Sequence, residues 1–237
     1  YVLAVTNIAQ SSLASLADFT IVMRAGPEIA VAATKSYNCQ LLCLYYLAAQ
    51  MKYYRTQEFP DWFSLFSSLS SAAEEVFACF PQMSALAAKF KDARGMFYLG
   101  RGTDVRTAAE GALKVKEIAY VFAEGYAAGE LKHGTLALIE EGFPVFAVST
   151  CPALASKTEN ALAEAKARGA RTVLFSQDVR ALSESCADFK CVIPAIHEKL
   201  MPILSVIPLQ YFACRMCLLR GFDPDKPRNL AKSVTVE

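Results

Sequence analysis

Histidine and tryptophan are almost missing from this sequence: its 237 residues hold two of the first and one of the second. Two histidines and eight scattered cysteines do not supply the clustered ligands a structural or catalytic metal needs, so no metal is expected. A surplus of one charge sign is also lacking. Lysine and arginine number 24, aspartate and glutamate 23, and the net charge is +1, with no long run of either sign. Neither nucleic acid nor an anionic membrane is therefore an expected partner. No signal peptide opens the chain, and apolar stretches such as LLCLYYLAA from Leu41 are too short and interrupted to cross a bilayer.

What is present is apolar residues, at 54% against 20% charged. A chain of this length can bury a core in one large domain or two small ones. The cysteines lie mostly within apolar segments. Cys39 and Cys43 sit four apart in one helical stretch, and Cys214 and Cys217 form a CxxC deep inside another. A redox CxxC normally opens a helix after a strand, so these read as small buried hydrophobes in a protein of the reducing cytoplasm.

Strand and helix patterns alternate. YVLAVTN (1–7) and FTIVMRA (19–25) predict short buried strands, followed by a long helix from Ile29 to Arg55. Asp61 can cap a second helical stretch after TQEFPD, and a short helix is expected from Gln82 to Lys91. From Met96 the pattern restarts. Four strands are expected (MFYLG, PVFAVST, RTVLFSQ and FKCVIPA), with helices between them and a final helix from His197 to Arg220 perturbed by Pro202 and Pro208. This alternation predicts an α/β fold with a doubly wound parallel sheet. The expected organisation is a partial subdomain over 1–55, a helical connection over 56–91, a complete subdomain over 92–220 and a tail over 221–237. Two strands and one long helix are too little for a domain, so the chain is expected to begin partway into a larger protein.

Three stretches could carry chemistry. In EGALKVKEIAY, Glu110, Lys114 and Glu117 stand at i, i+4 and i+7, hence on one helix face, while Lys116 points elsewhere. Spacing alone fits a solvated Glu–Lys pair. The apolar flanks argue instead for charges that pair or work. GRGT, between a strand and this helix, offers free backbone N–H groups to an anion. In AAGELKHG, His133 lies beside Gly134 in a polar loop, a position better suited to facing a site than to packing in a core. The ending RNLAKSVTVE is less frayed in composition than most tails: Asn229, Leu230, Ala231 and Val234 are burial material. Lys232 is then held as an amine on a lid.

Together with AGPEIAVAATKSYNCQLL near the start, these stretches resemble the isomerase half of the glucosamine-6-phosphate synthases, the glutamine:fructose-6-phosphate aminotransferases, over the whole chain. The resemblance implies SIS (sugar isomerase) subdomains and a reaction that converts fructose-6-phosphate and ammonia into glucosamine-6-phosphate without a cofactor. It implies that Glu117 is the base moving a proton between C1 and C2, that Lys232 forms a Schiff base with the ketose, and that His133 opens the sugar ring from the partner subunit of a homodimer. Lys114 is then the lysine beside the base and Glu110 a neighbouring carboxylate. Lys132 and Arg228 are expected to bind the substrate together with Glu110 and Ala33, and the backbone at Val31 lines the sugar. The residue types suit this chemistry: a carboxylate tuned by a cation for proton shuttling, an amine for imine formation, and an imidazole that titrates near neutrality.

The departures matter as well. The family's Ser/Thr-rich phosphate cradle is absent, as is its glutaminase domain, which in the full-length protein supplies the ammonia. Ala33 stands where a serine or threonine often offers the sugar a hydroxyl. The isolated chain is therefore expected to bind the sugar phosphate poorly and not to hydrolyse glutamine. The alternatives are an amino-sugar-phosphate deaminase or deglycase, against which the PRNLAKSVTVE ending argues, and a non-catalytic sugar-phosphate sensor, which has no need of Glu117, His133 and Lys232 together.

Overall fold

The computed structural model describes residues 1–178 and 184–232. It divides into two compact units, one formed by residues 1–66 with the tail from Asp225, the other by Ser67–Pro224. In the first, β1 (Leu3–Thr6) and β2 (Phe19–Val22) form a two-stranded parallel sheet joined through α1 (Ser12–Leu16). Ser11 caps α1, its Oγ accepting from the Ala14 N–H at 3.2 Å. The long helix α2 (Lys35–Thr56) starts six residues later than its apolar content predicts. Residues 29–34 instead form a loop arranged around Glu28. That carboxylate accepts from the backbone N–H groups of Thr34 (3.0 Å) and Ser36 (3.4 Å) and from the Ser36 hydroxyl. The helix thus starts where its orphan donors find an acceptor. Tyr45 of α2 joins Phe59, Trp62, Phe63 and Phe66 in an aromatic cluster, with Trp62 edge-on to both Tyr45 and Phe66 at 5.7 Å.

The second unit holds α3 (Leu69–Val76), α4 (Phe80–Phe90) and a five-stranded sheet. Its strands are β3 (Gly95–Gly100), β4 (Phe122–Ala127), β5 (Pro144–Ser149), β6 (Arg171–Ser176) and β7 (Phe189–Val192). They run in the order β4-β3-β5-β6-β7, all parallel. Leaving β3 in both directions makes a doubly wound sheet, and the crevice outside the carboxyl ends of β3 and β5 is its topological switch point. Helix α5 (Asp104–Lys114) follows β3, α6 (Ala155–Lys166) follows β5, and α7 (Met201–Leu219) closes the unit.

The sheet is buried on both faces, as a parallel sheet requires. On one face Phe146 lies among the rings of Tyr98 (5.0 Å), Phe212 (4.8 Å) and Phe90 (5.9 Å). On the other, Phe97, Leu99, Val145 and Ala147 meet Ala161, Leu162 and Ala165 of α6 and Leu131 of the loop after β4. Alternate residues of β3 and β5 thus serve opposite layers. Helix α7 packs on α4 and α5. The stretch Glu198–Leu219 is the one helix among the described residues long and apolar enough to cross a membrane, with mean hydropathy 1.5, and 61% of it is buried in the protein. Pro208 sits inside α7 without ending it.

One strand escapes the sequence reading, which expected four from Met96 onward and missed β4. FAEGYA carries a glutamate and a glycine and lies at a sheet edge, where it pairs with β3 alone, so its apolar signal is weak. The glycine has a structural cause. A Cβ on Gly125 would lie 2.5 Å from the Ala109 Cα and 2.7 Å from its nitrogen, so β4 and α5 come together at a distance that only glycine permits. The eight cysteines form no disulfide; Cys79, Cys191 and Cys217 are buried, whereas Cys186 is exposed.

Candidate functional site

Helix α5 carries the charged row. Lys114 is only 3% exposed, and its Nζ lies 3.2 Å from Glu110 Oε1 and 2.7 Å from Glu117 Oε2. Two carboxylates thus share one buried ammonium, so the apolar flanks of this helix do enclose paired charges. The Glu117 Oε2 is buried and makes no aligned hydrogen bond, which leaves its contact with Lys114 Coulombic. Burial pushes the Glu110 carboxyl above its ordinary value. The charge and hydrogen bond of Lys114 lower it in part, and the nearby Glu117 raises it again.

At Glu117 the helix changes. Residues Val115–Ala119 form a π-turn that ends at Tyr120, whose φ is 54°. Such widened turns recur at functional sites because they re-aim one side chain out of the regular helical row. Glu117 lies within this turn, with its side chain 23% exposed between buried Val115 and Ile118. The arrangement gives a half-buried carboxylate that is held by a cation and open to solvent on one side. That is what a proton shuttle needs.

His133 is exposed in the loop after β4, where its N–H donates to the Glu130 carbonyl at 3.0 Å and Gly134 follows at φ 127°. No hydrogen bond or ion pair among the described residues joins it to the row on α5. Lys132, also exposed, lines a separate cavity with Arg101 and Lys157.

The remaining candidates belong to the first unit. The Lys232 Nζ donates to the Ala30 carbonyl at 3.3 Å. The tail amine therefore rests on the same loop that holds Val31 and Ala33, both half-buried, around buried Ala32. Lys35 donates to the Pro27 carbonyl of this loop. Arg228 is exposed, and Asn229 adopts φ 61° just before the lysine segment. The tail is less buried than its composition suggests. Leu230 is 45% exposed, and Asn229 and Ala231 are exposed too, because Pro227 is the residue that packs inward. Val234 lies outside the described residues.

Sequence reasoning overlooked Asp104. It opens α5 and is buried, with Oδ2 accepting from the Thr150 N–H at 2.7 Å and Oδ1 from the Thr150 hydroxyl at 2.5 Å. This carboxylate, just after GRGT, ties the start of α5 to the end of β5. Burial raises its proton affinity, and the bonds from Thr150 and the Cys151 N–H oppose that. An acidic residue in the first helical turn was the available signal.

The SIS domain family matches residues 89–220, which cover the whole five-stranded sheet. The chain belongs to this family. It is 47% identical over its full length to the glutamine–fructose-6-phosphate aminotransferase (isomerizing) of Thermococcus kodakarensis and 43% identical to that of Thermotoga maritima. It spans 40% and 39% of the length of those relatives. Among solved structures it is similar to the C-terminal domain of the glucosamine-fructose-6-phosphate aminotransferase from Francisella tularensis. That match has a TM-score of 0.89 and 31% identity over 94% of this chain and 64% of that one. A glucosamine-6-phosphate deaminase from Thermotoga maritima shares the fold, with a TM-score of 0.78 at 23% identity over 98% of this chain and 66% of that one.

Proposed function

We propose that this chain is the isomerase part of a glutamine–fructose-6-phosphate aminotransferase and acts in the conversion of fructose-6-phosphate and ammonia to glucosamine-6-phosphate. The observation that carries the reading is the contact between Lys232 Nζ and the Ala30 carbonyl. It holds the only amine of the RNLAKS segment against the loop whose backbone at Val31 is to line the sugar.

The steps follow from the groups present. His133, in the dimer contributed by the partner subunit, takes part in opening the sugar ring. The Lys232 amine adds to the C2 ketone and water leaves, giving an imine. Ammonia, delivered by a glutaminase domain of the full-length protein, displaces the lysine by transimination and regenerates its amine. Glu117 then takes a proton from C1, and the resulting enamine is reprotonated at C2 while the C1 hydroxyl loses its proton. The product is the aldehyde of the 2-amino sugar, with no net oxidation. Lys114 holds the Glu117 carboxylate in place at 2.7 Å, and Glu110 on its other side holds the Lys114 ammonium at 3.2 Å. Arg228, and the backbone around Val31 and Ala33, contribute to holding the sugar.

Borohydride trapping tests the imine. The purified chain is incubated with fructose-6-phosphate, reduced, and mapped by peptide mass, with Lys232→Ala as control. An adduct confined to Lys232 is expected. Its absence in a folded chain that calorimetry shows to bind fructose-6-phosphate would remove Lys232 from the role assigned here, whereas absence without binding would trace to the missing phosphate cradle. Glu117→Gln should separately lower solvent deuterium exchange at C1 by about a thousandfold, the usual range for losing a general base.

A further inference from the structure

The π-turn that carries Glu117 ends on a strained residue. Tyr120 has φ 54°, in the left-handed region that a bulky side chain resists. Such strain persists only where the surroundings fix it. Here the fixing contact comes from a second helix end. Helix α7 stops in a two-bond closure around Gly221, whose φ is 79°. The Gly221 N–H donates to the Leu218 carbonyl at 3.0 Å, and the Phe222 N–H to the Cys217 carbonyl at 3.1 Å. That closure sets where the Phe222 ring lies. The ring meets Tyr120 edge-on, with centroids 4.7 Å apart and planes at 67°.

Phe222 has further support. The Arg220 guanidinium lies 6.0 Å from its ring centre, and Arg220 Nη1 donates to the Lys91 carbonyl just past α4. Helix α7 also packs against the π-turn, whose Val115 and Ala119 are fully buried. The ring pair is thus the contact between a fixed frame and the exit of the turn. A π-turn bonds i to i+5 where the α-helix bonds i to i+4. Letting its exit relax toward the α pattern would therefore turn Glu117 about the helix axis, away from its 2.7 Å contact with Lys114.

We propose that Tyr120 and Phe222 are positioning residues, an aromatic clamp that holds the π-turn so that the Glu117 carboxylate is aimed at the sugar carbons. The clamp rests on the reading of Glu117 as the base, and the rings act through Glu117 rather than on the sugar. A merely structural contact would change stability and leave the proton transfer as it was. A positioning contact changes the transfer rate and leaves sugar binding as it was.

Two variants remove the clamp from opposite sides. Tyr120→Gly loses one ring and adopts the positive φ freely, whereas Phe222→Ala loses the other and leaves Tyr120 in place. Two readouts are taken: solvent deuterium exchange at C1 of fructose-6-phosphate, and the Glu117 carboxyl carbon resonance of the free protein, assigned with Glu117→Gln. Each clamp variant should slow exchange by about tenfold or more while the half-saturating concentration stays within about twofold. Each should also shift the Glu117 resonance. The double variant should be no slower than the slower single one, because the rings act as a unit. Tyr120→Phe, which keeps the ring, should restore both readouts. Where Glu117→Gln abolishes exchange, unchanged exchange in both clamp variants, or a loss carried wholly by the half-saturating concentration, overturns the clamp. A Glu117 resonance unmoved in both variants overturns it whatever the exchange shows. If Glu117→Gln leaves exchange intact, the reading of Glu117 as the base fails instead, and the resonance alone decides whether the rings hold its carboxylate.

Discussion

In the five-stranded unit, β3, β5 and β6 are buried on both faces, and rings such as Phe97, Tyr98, Phe146 and Phe175 are 1% exposed or less. In the unit of residues 1–66 and the tail, the buried apolar side chains among the described residues are Ala4, Ala32, Ala49 and Trp62 with Pro60 and Pro227, while Leu16 and Ile29 are each 82% exposed. Both units are built from parallel strands, a class of sheet that depends on cover from both sides. A two-stranded sheet so thinly covered gains little from burial. The first unit is held instead by local polar devices: the Glu28 cap on α2, the Ser11 cap on α1, and Asn7, which bonds to the Gly26 carbonyl at 2.8 Å and the Ala25 N–H at 2.9 Å. The amine proposed as catalytic belongs to this lightly built unit and the carboxylate to the heavily built one.

The sharpest way to break this contrast is to empty the core of the five-stranded unit. Phe146→Ala removes the ring shared by Tyr98, Phe90 and Phe212, and should cost about 4 kcal/mol in urea unfolding. Gly125→Ala, which forces a methyl into the Ala109 backbone, should cost about 2 kcal/mol. Hydrogen exchange then reports the units separately. In both variants, protection should fall in β3, β5 and β6 and stay unaltered in β1 and β2. A uniform fall across the chain would mean that the two units unfold as one.

The same contrast explains what could be read in the sequence. Runs such as MFYLG and RTVLFS announce their strands because doubly buried strands are apolar throughout. FAEGYA stayed hidden because an edge strand that must approach a helix through Gly125 shows neither run nor alternation. The start of α2 was misplaced because Ile29 to Ala33 are apolar in composition, and the deciding group, Glu28, acts eight residues away on Ser36. For the site, the Glu110–Lys114 pair was legible because helical i, i+4 spacing fixes it, whereas the π-turn that aims Glu117 left no signal in the spacing. The role of Asp104 was not, since its partner Thr150 is brought to it only by the pairing of β3 with β5. The cavity around Arg101 was hidden for the same reason: Lys157 and Asn160 reach it only once α6 covers the sheet.

Smaller effects should run through the caps. Glu28→Ala leaves the N–H groups of Thr34 and Ser36 without their acceptor. It should lower the stability of α2 by about 1 kcal/mol, as loss of a helix cap does. Amide exchange in the first turns of α2 is the measurement, and the five-stranded unit should be unaffected. Unchanged exchange would mean that the loop around Glu28 is held by something other than the cap.

The finest test uses pH, because the two units carry carboxyls displaced in opposite directions. For Glu28, burial pushes its proton affinity up, but the hydrogen bonds from the Ser36 hydroxyl and the N–H groups of Thr34, Ser36 and Lys35 outweigh it, so its folded pKa lies below the ordinary 4.5. The unfolded chain then binds more protons than the folded one across that window, and the contribution of Glu28 to stability is lost as pH falls below 4.5 through the folded value. For Glu110, burial dominates over the charge of Lys114, and the folded pKa lies above 4.5. Here the folded protein binds the extra proton, so stability declines as pH rises from 4.5 through the folded value. Acidification from neutrality should therefore strengthen the five-stranded unit through Glu110 and, below 4.5, weaken α2 through Glu28. Glu110→Gln should flatten the first slope and Glu28→Gln the second. Two slopes of the same sign would show that one of these carboxyls is not placed as described.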